Sequence, residues 1–294
     1  MARETRRRPV RGGPRRACTP PVALAVAADA ADFERLRRYR LFGAADHGAY
    51  LRRTERQLRV MRGAGVAVHL RVLEADGYEE FCARRLLAPA DPVARAAFAA
   101  DPELPGEPYV YAGEGLAELL PALLRDHRAR AGVAAGCAAL LDAVERGGRP
   151  QARLAAFLGY AAELCLAVAA GAGEGRFRLE LRAEGAGGEP LEAAAGLAEL
   201  VALVELRGTA GGGRSGPTAR EAEAFVVTLA AVLAGPGAGE LLLAGPDGAD
   251  VRGWALAAGR AAPLTVLELR ALPPPGPRRP REAFPLPPPP PGLT

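Results

Sequence analysis

Carboxylates and a histidine follow the first apolar run of the chain, and these residue types can carry acid–base or metal-assisted chemistry. Asp29 and Asp32 come directly after residues 22–28, an apolar run of strand length. In open parallel sheets, ligands bind at the carboxyl ends of the strands, where carboxylates can bind magnesium or transfer protons. Asp46 and His47 would join them if the intervening helix folds back. The candidate catalytic residues are therefore Asp29, Asp32, Asp46 and His47.

The same residues also have a structural interpretation. Asp32 can cap a helix, Asp29 can lie in a turn and His47 can lie on a solvated helix face. No further side chain completes a catalytic set, so an enzyme that uses Asp29 and Asp32 with magnesium is the alternative hypothesis. Outside that hypothesis we predict neither a cofactor nor a metal site. The three histidines lack zinc-ligand spacing, and the four dispersed cysteines lack a Cys-x-x-Cys motif.

A second group of candidates is a run of arginines. Residues 34–62 contain nine Arg against three acidic residues. Arg52, Arg56 and Arg59 recur at a spacing that places side chains on one helix face, and guanidinium groups bind carboxylates and phosphates through paired hydrogen bonds. We predict that these three arginines bind an anionic partner, either an acidic protein surface or a nucleic acid. Because the chain has no lysine, arginine must also fill ordinary solvated positions, and a merely solvated face is the competing interpretation.

A glycine-rich segment, residues 208–215, resembles the phosphate-binding pattern G-x-x-x-x-G-K-[ST], with Arg214 in place of the lysine. The preceding residues 191–206 have helical rather than strand composition, and a Gly-Pro pair follows where the motif requires a helix. We therefore interpret the segment as a linker. It holds Ser215, the one serine of the chain, which argues against a serine nucleophile.

Composition limits the class of protein further. The 294 residues include no Lys, Ile or Asn, the residues with A+T-rich codons, which indicates a G+C-rich genome and a core of Ala, Leu and Val. The apolar stretch 224–239 is interrupted by Gly235 and Pro236 and is shorter than a membrane span. Dispersed cysteines in a chain of this length are typical of a reducing compartment. We expect a cytoplasmic protein without membrane contact, and the sequence leaves its oligomeric state open.

Strand and helix signals alternate in the first half of the chain. Apolar runs at 22–28, 66–73 and 108–112 are separated by helical segments. This alternation predicts an α/β domain over residues 21–146 with a mostly parallel sheet. A glycine pair at 147–148 marks a boundary. Beyond it, an α+β domain over residues 150–272 is predicted, with helices and with strands near 176–182, 240–244, 250–257 and 264–270.

The two ends of the chain differ in composition from the body. Residues 1–20 are rich in Arg, Pro and Gly, and residues 273–294 contain eleven prolines. Proline runs favour extended polyproline II conformation, and segments with so little apolar surface do not form a core of their own. We predict that both ends are disordered. A scaffold that acts only through these tails is a further functional alternative.

Three segments carry a resemblance to known proteins. They are Tyr39-Arg-Leu-Phe42, Asp46-His47 and residues 101–111, Asp-Pro-Glu-Leu-Pro-Gly-Glu-Pro-Tyr-Val-Tyr. Over residues 20–145 the chain resembles uncharacterised proteins of actinobacteria, and this resemblance implies no activity, cofactor or site residue. The first hypothesis for function therefore depends on charge. It is a binding or regulatory module that docks an acidic partner.

Overall fold

The computed structural model describes residues 21–104, 108–146, 150–184, 190–207, 217–246, 250–272 and 279–293. The arm predicted to be disordered, residues 1–20, and the glycine-rich segment 208–215 lie outside these ranges. The chain forms two compact units. Unit 1 comprises residues 1–101 and 108–117, and unit 2 comprises residues 102–107 and 118–294. The domain limits expected from the sequence, 21–146 and 150–272, stay a prediction.

Unit 1 contains a three-stranded sheet with the strand order β1-β2-β3. The strands are β1 (Val22–Val26), β2 (Val68–Val72) and β3 (Tyr109–Val110). The helices α1 (Ala30–Arg37) and α2 (His47–Gly63) connect β1 to β2, and α3 (Ala75–Arg85) and α4 (Pro92–Ala100) connect β2 to β3. Each helix turns one apolar face inward, so the buried aromatic residues Phe33, Tyr50, Tyr78, Phe81 and Phe98 come from all four.

The prediction of a mostly parallel sheet in the N-terminal part is wrong. β1 and β2 pair in parallel, but β3 pairs antiparallel with β2, with His69 opposite Val110. Alternating strand and helix signals locate segments without fixing the direction in which a segment enters the sheet. Residues 101–108 between α4 and β3 are enough for the chain to enter from either end. The sheet of unit 1 is therefore mixed, and with the mostly antiparallel sheet of unit 2 the chain is α+β throughout.

Unit 2 combines helices with a six-stranded sheet of order β5-β4-β6-β7-β8, in which β9 also pairs with β7. The strands are β4 (Arg178–Glu184), β5 (Pro190–Gly196), β6 (Gly239–Ala244), β7 (Asp250–Ala257), β8 (Arg260–Pro263) and β9 (Arg279–Pro280). The helices are α5 (Leu116–Glu145), α6 (Pro150–Ala172), α7 (Leu197–Arg207), α8 (Pro217–Ala234) and α9 (Val266–Ala271). All neighbouring strands pair antiparallel except β7 and β9.

Alternate residues of the central strands of unit 2 pack against α6 and α8. Leu179 and Leu181 of β4 and Leu241 and Leu243 of β6 share one core with Trp254 of β7. By length and composition alone, α6 could cross a membrane. One face of it nevertheless lies in this core through Phe157, Tyr160, Leu164 and Val168, as expected of a central helix in a globular unit.

Two secondary-structure predictions for unit 2 are wrong. Residues 266–271 form α9 where the sequence predicts a strand over 264–270, because Thr265 and Glu268 build a capping box in which each side chain accepts the other's backbone N–H. Residues 190–196 form β5 although their composition is helical, because they pair with β4 along their whole length. Pairing in the sheet thus overrides the helical propensity of alanine and leucine.

The disorder predicted for the C-terminal tail is not confirmed for residues 279–293, which pack on unit 2. β9 extends the sheet, Phe284 packs against the core, and Leu293 is a buried member of it. The composition rule considers what a segment buries by itself, whereas unit 2 supplies the surface on which this segment packs. Residues 273–278 lie outside the described part of the chain.

The close approach of α5 to α8 at Gly136 leads to a stability prediction. A Cβ atom on Gly136 would lie 2.9 Å from Thr228 Oγ1 and 3.1 Å from the Thr228 backbone nitrogen. Because backbone cannot move aside as a side chain can, we expect Gly136→Ala to lower the free energy of unfolding by about 1–3 kcal/mol. Chemical denaturation of unit 2, followed through the fluorescence of the single tryptophan, measures the change.

The matched control is Gly159→Ala in α6, where nothing lies within 4 Å of the added Cβ atom. Alanine is the better helix former, so this substitution should raise the free energy of unfolding by roughly 0.5–1 kcal/mol. Equal effects of the two substitutions would contradict the packing of α5 on α8 described above.

Candidate functional site

Two of the candidate carboxylates cap the helices that follow β1. Asp29 is the N-cap of α1 and accepts a 2.7 Å hydrogen bond from the Ala31 N–H. Asp46 is the N-cap of α2 and accepts a 2.7 Å hydrogen bond from the Ala49 N–H. Carboxylates in this position satisfy unpaired N–H groups and interact favourably with the helix dipole. Asp29 and Asp46 thus stabilise the starts of α1 and α2 as helix caps.

Asp32 does not cap α1, the role that the sequence suggested for it. It lies in the first turn of that helix and accepts a 3.0 Å hydrogen bond from the N–H of Ala75, the first residue of α3. The residue in the N-cap position of α3, Glu74, makes no capping hydrogen bond with its side chain. Asp32 therefore supplies, from a neighbouring helix, an acceptor that the start of α3 needs.

His47 folds back onto the end of β1. Its Nε2 atom lies 2.9 Å from the Ala27 carbonyl oxygen, and the Ala27 N–H donates a 3.2 Å hydrogen bond to the Tyr50 hydroxyl. Because a carbonyl only accepts hydrogen bonds, Nε2 is the donor in this hydrogen bond. The His47 ring also packs 5.3 Å from the Phe33 ring, between centroids. The first turn of α2 thus holds both polar groups of Ala27.

The predicted catalytic residues therefore lie near one end of β1, but the three aspartates bind the starts of three different helices and His47 binds the backbone that follows β1. Among the described residues, no group of three or more His, Cys, Asp or Glu side chains could hold a metal ion. Asp29, Asp46 and Asp32 each accept a backbone N–H, and His47 binds a backbone carbonyl. This arrangement stabilises the local structure and provides no metal centre for the enzyme hypothesis.

Ion pairs neutralise much of the predicted basic region. Arg35 pairs with Asp76 and Arg38 with Glu79, which joins α1 to α3. Arg37 pairs with Glu34, and Arg59 with Glu55, each within one helix. The hydrogen bond from Arg35 lowers the pKa of Asp76 below its ordinary value, so that the pair stays charged at neutral pH. The arginines of α1 are thus largely engaged by neighbouring carboxylates.

The arginines of α2 are less engaged. This helix carries five arginines against one glutamate, and Arg52, Arg53 and Arg56 form no ion pair with a carboxylate of the described residues. We refer to Arg52, Arg53, Arg56 and Arg59 as the α2 basic patch. Of the three arginines predicted to bind a partner, Arg52 and Arg56 are exposed without an ion pair, while Arg59 lies 2.6 Å from a Glu55 oxygen.

A pocket of about 120 Å³ lies beside β1, one of the two edge strands of the sheet in unit 1. Its apolar wall comes from β1 and residues 41–44, and its polar wall comes from α2 and α4. The polar side chains are Tyr50, Arg53, Thr54, Gln57 and Arg95. No acidic residue is among those that line the pocket, so its electrostatics favour an anionic group of a few non-hydrogen atoms.

Arg53 and Arg95 anchor the loop that closes the pocket. Arg53 donates a 3.1 Å hydrogen bond to the Gly43 carbonyl, and Arg95 donates one of 3.2 Å to the Leu41 carbonyl. Neither arginine is ion-paired within the described ranges, and a guanidinium has five N–H donors. Both therefore keep donors for a ligand. Burial raises the pKa of Tyr50, which keeps its hydroxyl neutral at physiological pH, although the charge of Arg95 opposes this shift.

Sequence reasoning missed four of the five polar residues in this pocket, which are Tyr50, Thr54, Gln57 and Arg95. Arg95 lies in α4, far along the chain from α2, and no spacing rule connects it with Arg53. The spacing of Gln57, one helical turn after Arg53, does indicate that these two side chains lie on the same face of the helix. Thr54 is adjacent to Arg53 in the sequence. Phe42 belongs to a segment that the sequence analysis singles out, but only the fold shows that its ring packs 4.7 Å from the Tyr50 ring, between centroids, at the pocket wall.

The N-terminal part of the chain is similar to a known domain family. Residues 6–114 match the domain of unknown function DUF8829. The match includes β1 to β3, the α2 basic patch and every residue that lines the pocket. No curated protein and no solved structure matches the chain. The resemblance to uncharacterised proteins that the sequence predicts is confirmed over this range. The match assigns no function to the chain.

The capping role of Asp46 can be separated from a catalytic one. Asparagine keeps the acceptor oxygen of the cap and removes the charge, whereas alanine removes both. We expect Asp46→Ala to destabilise α2 by about 1 kcal/mol and Asp46→Asn to cost only a few tenths. Hydrogen exchange of the α2 amides, read by mass spectrometry, measures both changes in unit 1. If the Asn variant exchanges as fast as the Ala variant, the carboxylate has a role other than capping.

Proposed function

We propose that unit 1 is a binding module for an acidic segment of a partner protein, with a carboxylate of that segment held in the pocket beside Arg53 and Arg95. The observation that carries the proposal is the composition of the pocket. Two arginines without an ion pair in the described structure face a cavity that has no acidic lining residue. Arg95 is half-buried and Arg53 is exposed, and a guanidinium makes charge-assisted hydrogen bonds to a carboxylate that are stronger than those between neutral groups.

The α2 basic patch supports this proposal from outside the pocket. Arg52 and Arg56 are exposed on the same helix that contributes Arg53 to the pocket. Charges outside a binding site mainly attract the partner and set its rate of association, while desolvated groups inside it set the rate of dissociation. We therefore assign steering to Arg52 and Arg56 and anchoring to Arg53 and Arg95.

The pocket favours a protein segment over a nucleic acid. Leu24, Val26 and Phe42 give it an apolar wall, which suits an apolar side chain next to the carboxylate. Proteins that bind single-stranded nucleic acids present exposed aromatic rings on which bases stack. Here the Phe42 ring stacks on Phe33 at 4.9 Å between centroids, and Tyr50 is buried. The rings are thus engaged in the core of unit 1 and not presented to bases.

The wider expectations from the sequence stay proposals. We infer a cytoplasmic protein of actinobacterial origin from the dispersed cysteines and the G+C-rich codon bias, and a regulatory rather than enzymatic role. The alternative enzyme, with Asp29 and Asp32 as its carboxylates and magnesium as cofactor, is less favoured because both side chains bind backbone N–H groups.

The test uses the full chain and a fluorescent peptide of alternating Glu and Leu residues as the probe. Losing charge-assisted hydrogen bonds costs about 1.5–3 kcal/mol each, so Arg53→Gln and Arg95→Gln should each weaken binding of this peptide by roughly 10- to 100-fold. Fluorescence anisotropy measures the affinity. The matched control is Arg37→Gln, because Arg37 is exposed, paired with Glu34 and absent from the pocket lining. It should bind as the wild type does.

The dependence of the affinity on salt concentration separates the contribution of the α2 basic patch from that of the pocket. It also distinguishes a protein partner from DNA. The triple variant Arg52→Gln, Arg56→Gln, Arg59→Gln should reduce the effect of salt on peptide binding and leave most of the affinity at high salt. A generic DNA duplex is titrated in parallel. If it binds more tightly than the peptide, and the triple variant lowers the slope of log affinity against log salt by up to about 3, the partner is a nucleic acid. If the two pocket variants bind the peptide as the wild type does, the pocket does not anchor a carboxylate.

A further inference from the structure

The C-terminal segment of the chain fits a groove of unit 2 through contacts that recognise extended proline-rich chains in general. The sequence from Phe284 is Phe-Pro-Leu followed by five prolines. The Trp254 Nε1–H group donates a 2.8 Å hydrogen bond to the Phe284 carbonyl, and the Tyr160 hydroxyl donates one of 2.9 Å to the Pro287 carbonyl. Both donors belong to side chains that are almost fully buried. Two carbonyls three residues apart are thus bound by aromatic donors.

The pattern of exposure along the segment has a period of three. Pro285, Pro288 and Pro291 are exposed, and the two residues after each of the first two are half-buried. A polyproline II helix has three residues per turn. One ridge of the segment therefore faces solvent while the other two face unit 2. The two bound carbonyls are separated by one such turn, so they lie on the same side of the segment.

The groove also has a seat for an aromatic residue. The Phe284 ring lies against the backbone of Gly171, in space that a Cβ atom would fill. It packs edge-to-face on Trp254 at 5.2 Å between centroids, and the Arg252 guanidinium lies 5.6 Å from its centroid. Arg252 is held in place by a 3.1 Å hydrogen bond to the Gly171 carbonyl. These contacts define a site for one aromatic side chain followed by prolines.

We propose that this groove, formed by Tyr160, Gly171, Arg252 and Trp254, is a binding site for a proline-rich segment of a partner protein, and that the chain's own C-terminal segment occupies it as an internal competitor. The inference concerns unit 2 and is independent of the proposed function of unit 1. Hydrogen bonds to backbone carbonyls do not depend on the side chains of the ligand. Domains that recognise proline-rich segments use aromatic-lined grooves and the preformed polyproline II conformation in the same way.

The covalent connection decides which ligand occupies the groove. A tethered segment has an effective concentration in the millimolar range when its linker is short. A partner segment must therefore bind the groove more tightly than the internal segment does or be present at a higher concentration than the effective one. Otherwise, the binding of the internal segment must first be weakened. This makes the groove a regulated site, because any change that loosens the segment 284–291 opens it to a partner.

The experiment uses the full chain and a synthetic peptide with the sequence of residues 279–293. Phe284→Ala removes the aromatic anchor of the internal segment, and Trp254 is the one tryptophan of the chain. Its indole, which is fully buried in the wild type, should emit at longer wavelength in the variant. Adding the peptide should restore the wild-type emission, with an affinity at least about 10-fold higher than for the wild-type chain, whose groove is occupied.

Two controls test the recognition itself. A peptide in which the residues equivalent to Pro285 and Pro287–Pro291 are alanine should bind at least about 10-fold more weakly, because it loses the preformed conformation. Tyr160→Phe in the Phe284→Ala chain removes only the hydroxyl donor. It should weaken the binding of the peptide by about 3- to 10-fold, as expected for the loss of one neutral hydrogen bond.

Limited proteolysis of the wild-type chain provides a measurement that needs no variant. The Arg281 N–H is bonded to the Val251 carbonyl, and its side chain pairs with Asp250, so trypsin should cut slowly after Arg281. An excess of a peptide with the sequence of residues 283–293, which contains no trypsin site, should speed this cut. The same peptide with alanine in place of its prolines should not. If Phe284→Ala fails to fold, this measurement decides.

The proposal is overturned if a folded Phe284→Ala chain does not regain its emission with the peptide, or if the alanine peptide acts as well as the proline peptide. It is also overturned if light scattering shows a dimer formed by exchanged C-terminal segments that excludes the peptide, since a second copy would then be the occupant.

Discussion

The peptide group of Ala27 is the contact on which the arrangement of unit 1 depends. Ala27 follows β1 directly and is completely buried, so water cannot satisfy its N–H and carbonyl groups. A buried polar group without a partner costs about 1–3 kcal/mol. Tyr50 and His47, both in the first turn of α2, bind the two groups. This fixes the start of α2 against the end of β1, and with it the loop 41–44 and the pocket that this loop closes.

Aromatic side chains also bind backbone groups elsewhere in the protein, because the composition supplies few other polar side chains for this purpose. Asparagine is absent and there is one serine, so the side chains that usually satisfy buried backbone groups are scarce. Tyrosine and tryptophan take over this task. The Tyr78 hydroxyl donates to the Pro89 carbonyl, the Tyr160 hydroxyl to that of Pro287, and the Trp254 indole to that of Phe284. Each residue combines a large apolar body with one polar group, which suits a core built mainly from Ala, Leu and Val.

The sequence predicts the positions of most elements and little of their pairing. The limits of β2, β7 and α4 follow from alternation, turn residues and the Asp91-Pro92 helix start, all of which are local signals. The direction of β3 and the strand conformation of residues 190–196 depend on pairing with distant strands, which no local pattern encodes. At the site, the capping of α2 by Asp46 is local, whereas the contact between Asp32 and Ala75 and the joining of Arg53 with Arg95 in one pocket require the fold.

The surface at α1 is less basic than the charge count along the sequence predicts, for a related reason. The net charge of residues 34–62 is basic, but the partners of Arg35 and Arg38 lie in α3, outside that window. Exposed pairs of this kind contribute little to stability, yet they remove the arginines from the charge that a partner meets. The basic surface of unit 1 is therefore defined by the arginines that the fold leaves without carboxylates, not by the density of arginine along the chain.

The proline-rich end is the reverse case, because its composition predicts disorder whereas residues 279–293 pack on unit 2. A segment of this kind cannot form a core because it lacks apolar side chains that could pack on one another. Its backbone, however, has few conformations to lose, since each proline fixes φ near −65°. The entropic cost of docking it in a preformed groove is correspondingly small. The prolines that prevent the segment from folding by itself thus allow a small number of contacts to hold it on unit 2, namely two aromatic hydrogen bonds, the Phe284 ring, the pairing of β9 and the buried Leu293.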